Sequence, residues 1–524
     1  MGETVDAVII GAGPNGLVAA NVLADAGWDV VVVEGTEHIG GAVRSAEMTA
    51  PGYLSDVCSA FYPLGAASPV LQQLDLEAHG LEWTHAPAVV THVLADGRAA
   101  TLSRDLDRTA GSLESFAAGD GDRWIRAYED WCDITDALVP ALLSPFPPVR
   151  AGARLAARLG AAGGLRLTRR LMLPTRALGR ELFRGEGGRV LLAGLALHTD
   201  LSPDEAGSGA FGWLLAMLGQ QFGFPVPVGG AQRITDALAK RFGGAIITGT
   251  PVTKVVVANN AALGVLAADG RRWRARRAVL ADVPAPTLYR ELVGADRLPR
   301  QVLEDLDGFH WDHGTLKVDY ALSAPLDWIA PEAARAGTVH LGADVDGLAK
   351  YAYELATNRA PSEPFLLLGQ MTTADPTRSP AGTESLWAYT HVPHGGFDVA
   401  EQAKRVEDVI ERHAPGFRDR IVARHVAGPD DLERENLSLV GGAINGGSAA
   451  VFQQLVLRPI PGLGRADTPI DRLYLAGSGA HPGGGVHGAA GANAARAALA
   501  RNRPVLGSLY GSAIRSANRR LYPR

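Results

Sequence analysis

"VDAVIIGAGPNGLVAANVLADAGWDVVVVE", residues 5–34, is the stretch that decides the fold. Residues 5–10 are a short apolar run ending at a glycine, the pattern of a buried parallel strand. Gly11, Gly13 and Gly16 then form GxGxxG, with Pro14 and Asn15 inside the turn. Leu17, Ala20, Val22 and Leu23 follow at helical spacing, Gly27 ends the helix, and residues 30–33 read as a second buried strand. The three glycines differ in what they permit. Gly11 makes the tight turn, Gly13 lets backbone approach a pyrophosphate, and Gly16 lets helix and strand pack closely. The phosphates would lie on the helix N-terminus, where free N–H groups and the dipole favour anions. Glu34 ends the second strand, where a carboxylate accepts from a ribose diol and disfavours an added 2′-phosphate. Strand, glycines, helix, strand and acid arrive in order, so the stretch predicts a Rossmann-type adenosine site contacted by Gly11, Gly13, Pro14, Asn15, Gly16 and Glu34. It does not choose between NAD and FAD.

Two further glycine clusters bear on that choice. "HIGGAVRSAEMTAPGYLSDVCSAFYPL", residues 38–64, opens with Gly40-Gly41 followed by Arg44. "LYLAGSGAHPGGGVHGAAGANAARAAL", residues 473–499, sets seven glycines between 477 and 491, after a strand at 472–476 and before a helix at about 488–500. Too little chain follows that helix to supply another strand and a ribose-binding acid. The late strand is therefore expected to return to the first sheet and bring backbone N–H groups to the same ligand.

These segments resemble the flavin amine oxidase and carotenoid (phytoene) desaturase superfamily. The closest likeness is to the desaturase-like branch called pyridine nucleotide-disulfide oxidoreductase domain-containing protein 2. The resemblance implies FAD, with Gly40 and Gly41 passing the pyrophosphate and Arg44 neutralising it. It implies that Gly477 passes the ribityl phosphate and that Gly485, Val486 and His487 lie along the isoalloxazine edge. A helix N-terminus there would favour negative charge on the reduced flavin. "FPVPVGGAQRITDALAKRF", residues 224–242, resembles the family's diglycine turn and helix, and residues 243–257 resemble a strand pair closing on the adenine, with Val252 in contact. "VLADVPA", residues 279–285, takes the place of the usual "V…N.dp". The implied fold is α/β: a discontinuous FAD-binding domain (1–81, 223–299, 466–510) and a substrate domain of mixed sheet and helices (82–222, 300–465), with a basic tail at 511–524.

Composition sets the outer limits. The 524 residues suggest two or three lobes. A net charge of -6 with 20% charged residues argues against a nucleic-acid partner. Two distant cysteines, Cys58 and Cys132, make no disulfide framework, so the "disulfide" of the branch name finds no support and a reducing cytoplasm is expected. No signal peptide pattern precedes the first strand, and no apolar run is long enough to span a bilayer. Histidine pairs such as His310 with His313, or His481 with His487, lack companion ligands, so no metal site is expected.

The substrate region offers two features. Residues 150–180 carry eight arginines and no acid among Leu, Ala and Met. The segment reads equally as an interfacial helix on an anionic membrane or as a solvated helical hairpin broken at Gly163-Gly164 and Pro174. In "HGTLKVDYALS", residues 313–323, alternation puts Thr315, Lys317 and Asp319 on one face. In flavin amine oxidases a lysine on a comparable strand holds a water at flavin N5; the competing reading is a solvent-facing Lys317–Asp319 pair. Lys317 and His487 are thus the catalytic candidates. The expected activity is FAD-dependent hydride removal from an apolar, isoprenoid or polyene substrate, with oxygen or a quinone taking the electrons. An amine oxidase, a redox-neutral polyene isomerase and a flavin-binding scaffold without turnover remain open from sequence.

Overall fold

The computed structural model describes residues 3–523. In chain order the strands that position the site are β1 (Glu3–Ile10), β2 (Val30–Val33), β3 (Ala88–Val93), β4 (Ala99–Leu102), β5 (Ala245–Ile247), β6 (Val252–Ala258) and β7 (Ala261–Ala267). They continue as β8 (Arg272–Ala281), β9 (Gly314–Leu322), β10 (Ala336–Leu341), β11 (Leu366–Gln370), β12 (Glu384–Val392), β13 (Ile421–Ala427) and β14 (Leu473–Leu475). The helices used below are α1 (Pro14–Asp25), α2 (Val149–Met172), α3 (Glu186–Ala196), α4 (Ser208–Phe222), α5 (Pro429–Glu435), α6 (Ala489–Arg501) and α7 (Leu506–Leu521).

The first sheet runs β6-β7-β8-β1-β2-β5, and β14 also pairs with β8. Its centre is parallel: β1 pairs with β2 and β8, and β14 aligns Leu473–Leu475 with residues 279–281. Central parallel strands are covered on both faces, which is why residues 30–33 are four consecutive buried valines. The chain therefore returns to its first sheet at its far end. Helix α6 then packs on α1 so closely that a Cβ at Gly491 would lie 1.9 Å from the Asn15 carbonyl oxygen.

The second sheet runs β13-β9-β12-β11-β10-β3-β4, antiparallel except for the β10–β3 pair. Helices α2 to α4 belong to this part of the chain. A buried Asp56–Arg378 ion pair at 2.7 Å ties the loop after α1 and β2 to the segment between β11 and β12.

Three local expectations are corrected. Strands β5 and β6 do not pair with each other: β5 extends the parallel order beside β2, whereas β6 begins an antiparallel meander at the opposite edge. The basic segment breaks at Pro174 as expected, between α2 and a helix at Thr175–Leu182, but α2 runs through Gly163 and Gly164 and is interrupted instead at Gly160 (φ 60°, ψ −179°), where a glycine escapes Cβ strain. Its leucines 155, 159, 167 and 171 pack on the core, and no residue of it is fully buried. Residues 511–521 are no separate tail, because α7 starts at Leu506, packs on α6 and is followed by a buried Tyr522.

Candidate active site

One large cavity of about 680 Å³ lies between the two sheets' loops, within the size range of ligand pockets. Its wall gathers residues from both ends of the chain: Gly11, Gly13, Pro14, Asn15, Glu34, Gly41, Arg44, Val252, Gly485, Val486 and His487 all line it. Gly16, Gly40 and Gly477 do not. Their place is behind the wall: a Cβ on Gly16 would lie 2.1 Å from the Gly11 carbonyl oxygen, one on Gly40 2.6 Å from that of Val43, and one on Gly477 2.8 Å from that of Val283. These three glycines bring segments together, and the lining residues meet whatever is bound.

The first turn is held by two acids. Glu34 Oε2 accepts the Ala12 N–H at 2.7 Å, while Oε1 accepts from the Thr36 N–H and hydroxyl at 2.8 and 2.9 Å. Asp282, at the end of β8, accepts the Gly16 N–H on Oδ2 at 2.8 Å. Burial, assisted by the Glu34 charge and opposed by the Gly16 bond, pushes its carboxyl up to about 7. No sequence motif assigns Asp282; its one signal is an acid directly after the apolar run 278–281 that ends β8, in the segment that departs from the usual pattern.

Arg44 lies at the wall with its guanidinium 2.5 Å from Glu435 of α5. Gly41 sits against Gly13, its added Cβ 3.5 Å from that Cα, so the diglycine segment and the first glycine turn share one corner.

His487 lines the cavity, yet its ring is spent on its own loop. Nδ1 accepts the Ala489 N–H at 3.0 Å, at the start of α6, and the carbonyls of Gly483 and Gly484 lie against the ring. Its backbone carbonyl accepts the Ser68 hydroxyl at 2.6 Å. Burial pushes its pKa down to about 4, so at neutral pH it is an uncharged brace.

Lys317 forms the pair with Asp319 that one sequence reading expected, but in a place neither reading gave it. It is 4% exposed, neither at the cavity wall nor facing solvent, and Nζ donates to both carboxylate oxygens of Asp319 at 2.5 Å. Strand β9 is buried along its whole length between β12 and β13, which is why the pair is enclosed. Cys58, which does line the cavity, is close enough to feel the Lys317 charge, although burial dominates and raises its thiol to about 11.

Most of the remaining wall is apolar, with Leu142, Leu171, Phe211, Trp213, Leu214 and Phe224 among its members, although His198, Asn445 and Gln454 also line it. Trp387 and Tyr389 of β12 stack on each other there, with ring centroids 5.9 Å apart. The lining carboxylates are Glu34, Asp282 and Glu435, all grouped with the glycine turn and Arg44. Among the described residues no His, Cys, Asp or Glu cluster suits a metal ion.

This donor set fits FAD. The glycine turn opens backbone to an anion at the start of α1, Arg44 supplies the counter-charge, Glu34 is the ribose acceptor, and the backbone-rich run 484–487 offers a flat wall beside an apolar chamber.

Comparisons with known proteins agree. The profile of the family described as flavin containing amine oxidoreductase matches residues 15–499. A Rattus norvegicus protein, pyridine nucleotide-disulfide oxidoreductase domain-containing protein 2, is 31% identical over 94% of this chain and 92% of its own length. A phytoene desaturase (lycopene-forming) of Pseudescherichia vulneris is 27% identical over 55% of this chain and 58% of its own. Putrescine oxidase, solved with putrescine bound, shares the fold at TM-score 0.60 and 16% identity, over 98% of this chain and 99% of that one.

Proposed function

This chain belongs to the flavin-containing amine oxidoreductase family, and from that premise we propose that it dehydrogenates an apolar, isoprenoid- or polyene-like substrate and hands the electrons to oxygen or a quinone. Its cofactor is FAD and its activity class is flavin-dependent oxidoreductase. The observation that carries the substrate class is the composition of the chamber: its apolar part has no carboxylate to receive an ammonium, since Glu34, Asp282 and Glu435 all belong to the nucleotide end. A named phytoene desaturase among the relatives supports the same reading.

Bound FAD supplies the two-electron acceptor. The protein's own part is placement and exclusion of water. The amides at the start of α1, with Arg44, would hold the pyrophosphate, Glu34 the ribose, and the backbone from Gly484 to His487 the flavin edge. Leucines and aromatics of α4 and of the Thr135–Leu143 helix keep the chamber dry, which strengthens every electrostatic interaction inside it.

The entrance supports a peripheral membrane contact. Val451 and Leu455 line the cavity and are 48% and 44% exposed, and Phe452 and Val456 beside them are also exposed. This segment meets the C-terminus of α2 across Gly207, whose added Cβ would lie 2.5 Å from Val451 Cγ1. In α2, Arg158, Arg169 and Arg170 are in ion pairs, leaving Arg150, Arg154 and Arg166 for anionic headgroups. Among the described residues no helix is long and apolar enough to cross a membrane.

The test is anaerobic bleaching of the bound flavin by polyenes and by amines, with product mass. Bleaching by polyenes and a product lighter by two hydrogens is the expected result. Peroxide from amines alone would make the protein an amine oxidase, and a product of unchanged mass would make it an isomerase.

A further inference from the structure

Lys317, Arg378 and Arg458 are the lysine and arginine side chains buried among the described residues. Two of them face a carboxylate: Lys317 meets Asp319, and Arg378 meets Asp56. Arg458 is 1% exposed, and its hydrogen bonds all end on backbone carbonyls. Nε and Nη2 donate to Ser478 at 3.2 and 2.9 Å. Nη2 also donates to Asn445 and Gly446 at 3.1 and 3.2 Å, and Nη1 to Ser448 at 3.0 Å. A buried charge without a bonded counter-charge is expensive to keep.

The nearest balance to it is Asp312, whose charge supports that of Arg458 across the loop they share. Asp312 accepts the N–H groups of Asn445 and Gly447, while Arg458 holds the carbonyls of the same two residues. Burial raises the Asp312 pKa, which weakens it as a counter-charge. Burial also pulls Arg458 down, to about 10, so its guanidinium stays charged at neutral pH.

This cation stands directly behind the ring end of the cavity. Asn445, Gly446 and Ser478, three of its carbonyl partners, line that cavity. A Cβ added to Gly483 would lie 3.3 Å from Arg458 Cζ. One added to Gly484 would lie 2.8 Å from the Asn445 carbonyl oxygen, which Arg458 also holds. The run 484–487 therefore rests on the clamp that Arg458 makes. Its field reaches the wall: after burial, it helps to lower the pKa of His481 and His487, both of which line the cavity. The lysine or arginine in the wall itself is Arg44, at the nucleotide end.

We propose that Arg458 stabilises, from behind the wall, the negative charge that a hydride leaves on the flavin ring, and so raises the reduction potential of bound FAD. A hydride brings two electrons and one proton, so a neutral ring that accepts it gains one hydrogen and one negative charge. Arg458 keeps its own proton, and no bond in the protein forms or breaks. The carbonyls fix the guanidinium in advance, so the field needs no rearrangement at the moment of transfer. The N-terminus of α6 acts in the same direction with a fraction of a charge, and Arg458 adds a whole one. Arg458 does not line the cavity, so it is a positioning residue. The proposal rests on the FAD assignment alone: the same charge develops whether the hydride comes from a polyene or an amine.

The test needs no substrate, so its failure is separate from failure of the polyene reading. Full-length protein with bound FAD is reduced by xanthine and xanthine oxidase beside a dye of known potential. In wild type the two-electron midpoint is expected to fall by about 30 mV per pH unit between about pH 6 and 8, the slope for one proton per two electrons. A slope of about 60 mV over that range, two protons taken up, overturns the proposal with no variant needed. Arg458→Met is expected to shift the balance toward oxidised flavin about tenfold at about pH 8, a fall of about 30 mV. Arg458→Lys keeps the charge but loses the planar fork, and is expected to stay within about twofold of wild type. An unchanged midpoint in flavin-bearing Arg458→Met overturns the proposal. So does an equal fall in Arg458→Lys, which would make the carbonyl bonds, and not the charge, responsible. If Arg458→Met loses its flavin, Arg458→Gln, which keeps an amide donor for the clamp, is read in the same way. If no neutral variant holds flavin, the wild-type slope and the Arg458→Lys midpoint decide.

Discussion

Asp282 Oδ2 accepts the backbone N–H of Gly16 at 2.8 Å, so a carboxyl from the end of β8 closes the first turn of α1. Burial raises its pKa from 3.8 to about 7. The folded protein thus keeps a proton that the unfolded chain has already lost. Stability from this group is complete below about pH 4 and declines as pH rises through about 7, by at most about 4 kcal/mol. Asp282→Asn keeps an acceptor for Gly16 and abolishes the titration. Flavin-free Asp282→Asn is expected to melt above wild type at about pH 8 and with it at about pH 4. Melting curves across that range check this, and a difference that ignores pH would remove Asp282 as the cause. Flavin affinity in wild type is expected to fall over the same range, because the ionised carboxylate repels a pyrophosphate.

Arg44 and Glu435 predict opposite effects on flavin binding. Their 2.5 Å contact makes Glu435 a competitor for the cation expected to meet the pyrophosphate. Arg44→Ala is expected to weaken FAD binding by about tenfold, the worth of one charge-assisted contact, and Glu435→Gln to tighten it by a factor of about two. Titration with flavin fluorescence measures both. Weaker binding in Glu435→Gln would show that the pair builds the site instead of competing with it.

Gly491→Ala is expected to separate the two ends of the chain. The new methyl would meet Asn15 backbone at 1.9 Å, and neither helix end can give way by side-chain rotation. A loss of about 1–3 kcal/mol is expected for such overpacking, with flavin loss during purification. Melting temperature and the ratio of flavin to protein absorbance report the two effects. A variant with wild-type stability and full flavin would contradict this packing.

His487 is expected to act through position. His487→Asn offers an amide oxygen to the Ala489 N–H in place of Nδ1, whereas His487→Ala loses that cap at about 1 kcal/mol. Because burial holds the ring neutral above about pH 4, the pH profile of flavin reduction in His487→Asn should superimpose on wild type above about pH 5. Disappearance of an inflection near neutrality would instead give the ring a titrating role.

The glycine turn and the strands around it were legible because their signals are local. A buried strand, a glycine turn, a helix ended by Gly27 and an acid lie within thirty residues, and each states a backbone requirement that few residue types meet. The late glycines were legible as a cluster, but that Gly491 answers to the close approach of α6 to Asn15, where any side chain would intrude, was decided by the packing of two helices far apart in sequence.

Side-chain partners were another matter. Lys317 stands on the strand that alternation indicated, yet alternation says only which face a residue shares, and here both faces of β9 are covered. The arginines of α2 could not be divided into paired and free without their acids, Asp130, Asp136 and Glu181. The amino-acid order determined the backbone geometry that a dinucleotide needs, because glycine conformation and strand burial are written within a few neighbouring residues. Which ionisable groups touch was decided only by the tertiary packing, because their contacts join residues up to 391 positions apart and depend on how whole sheets and helices settle against one another.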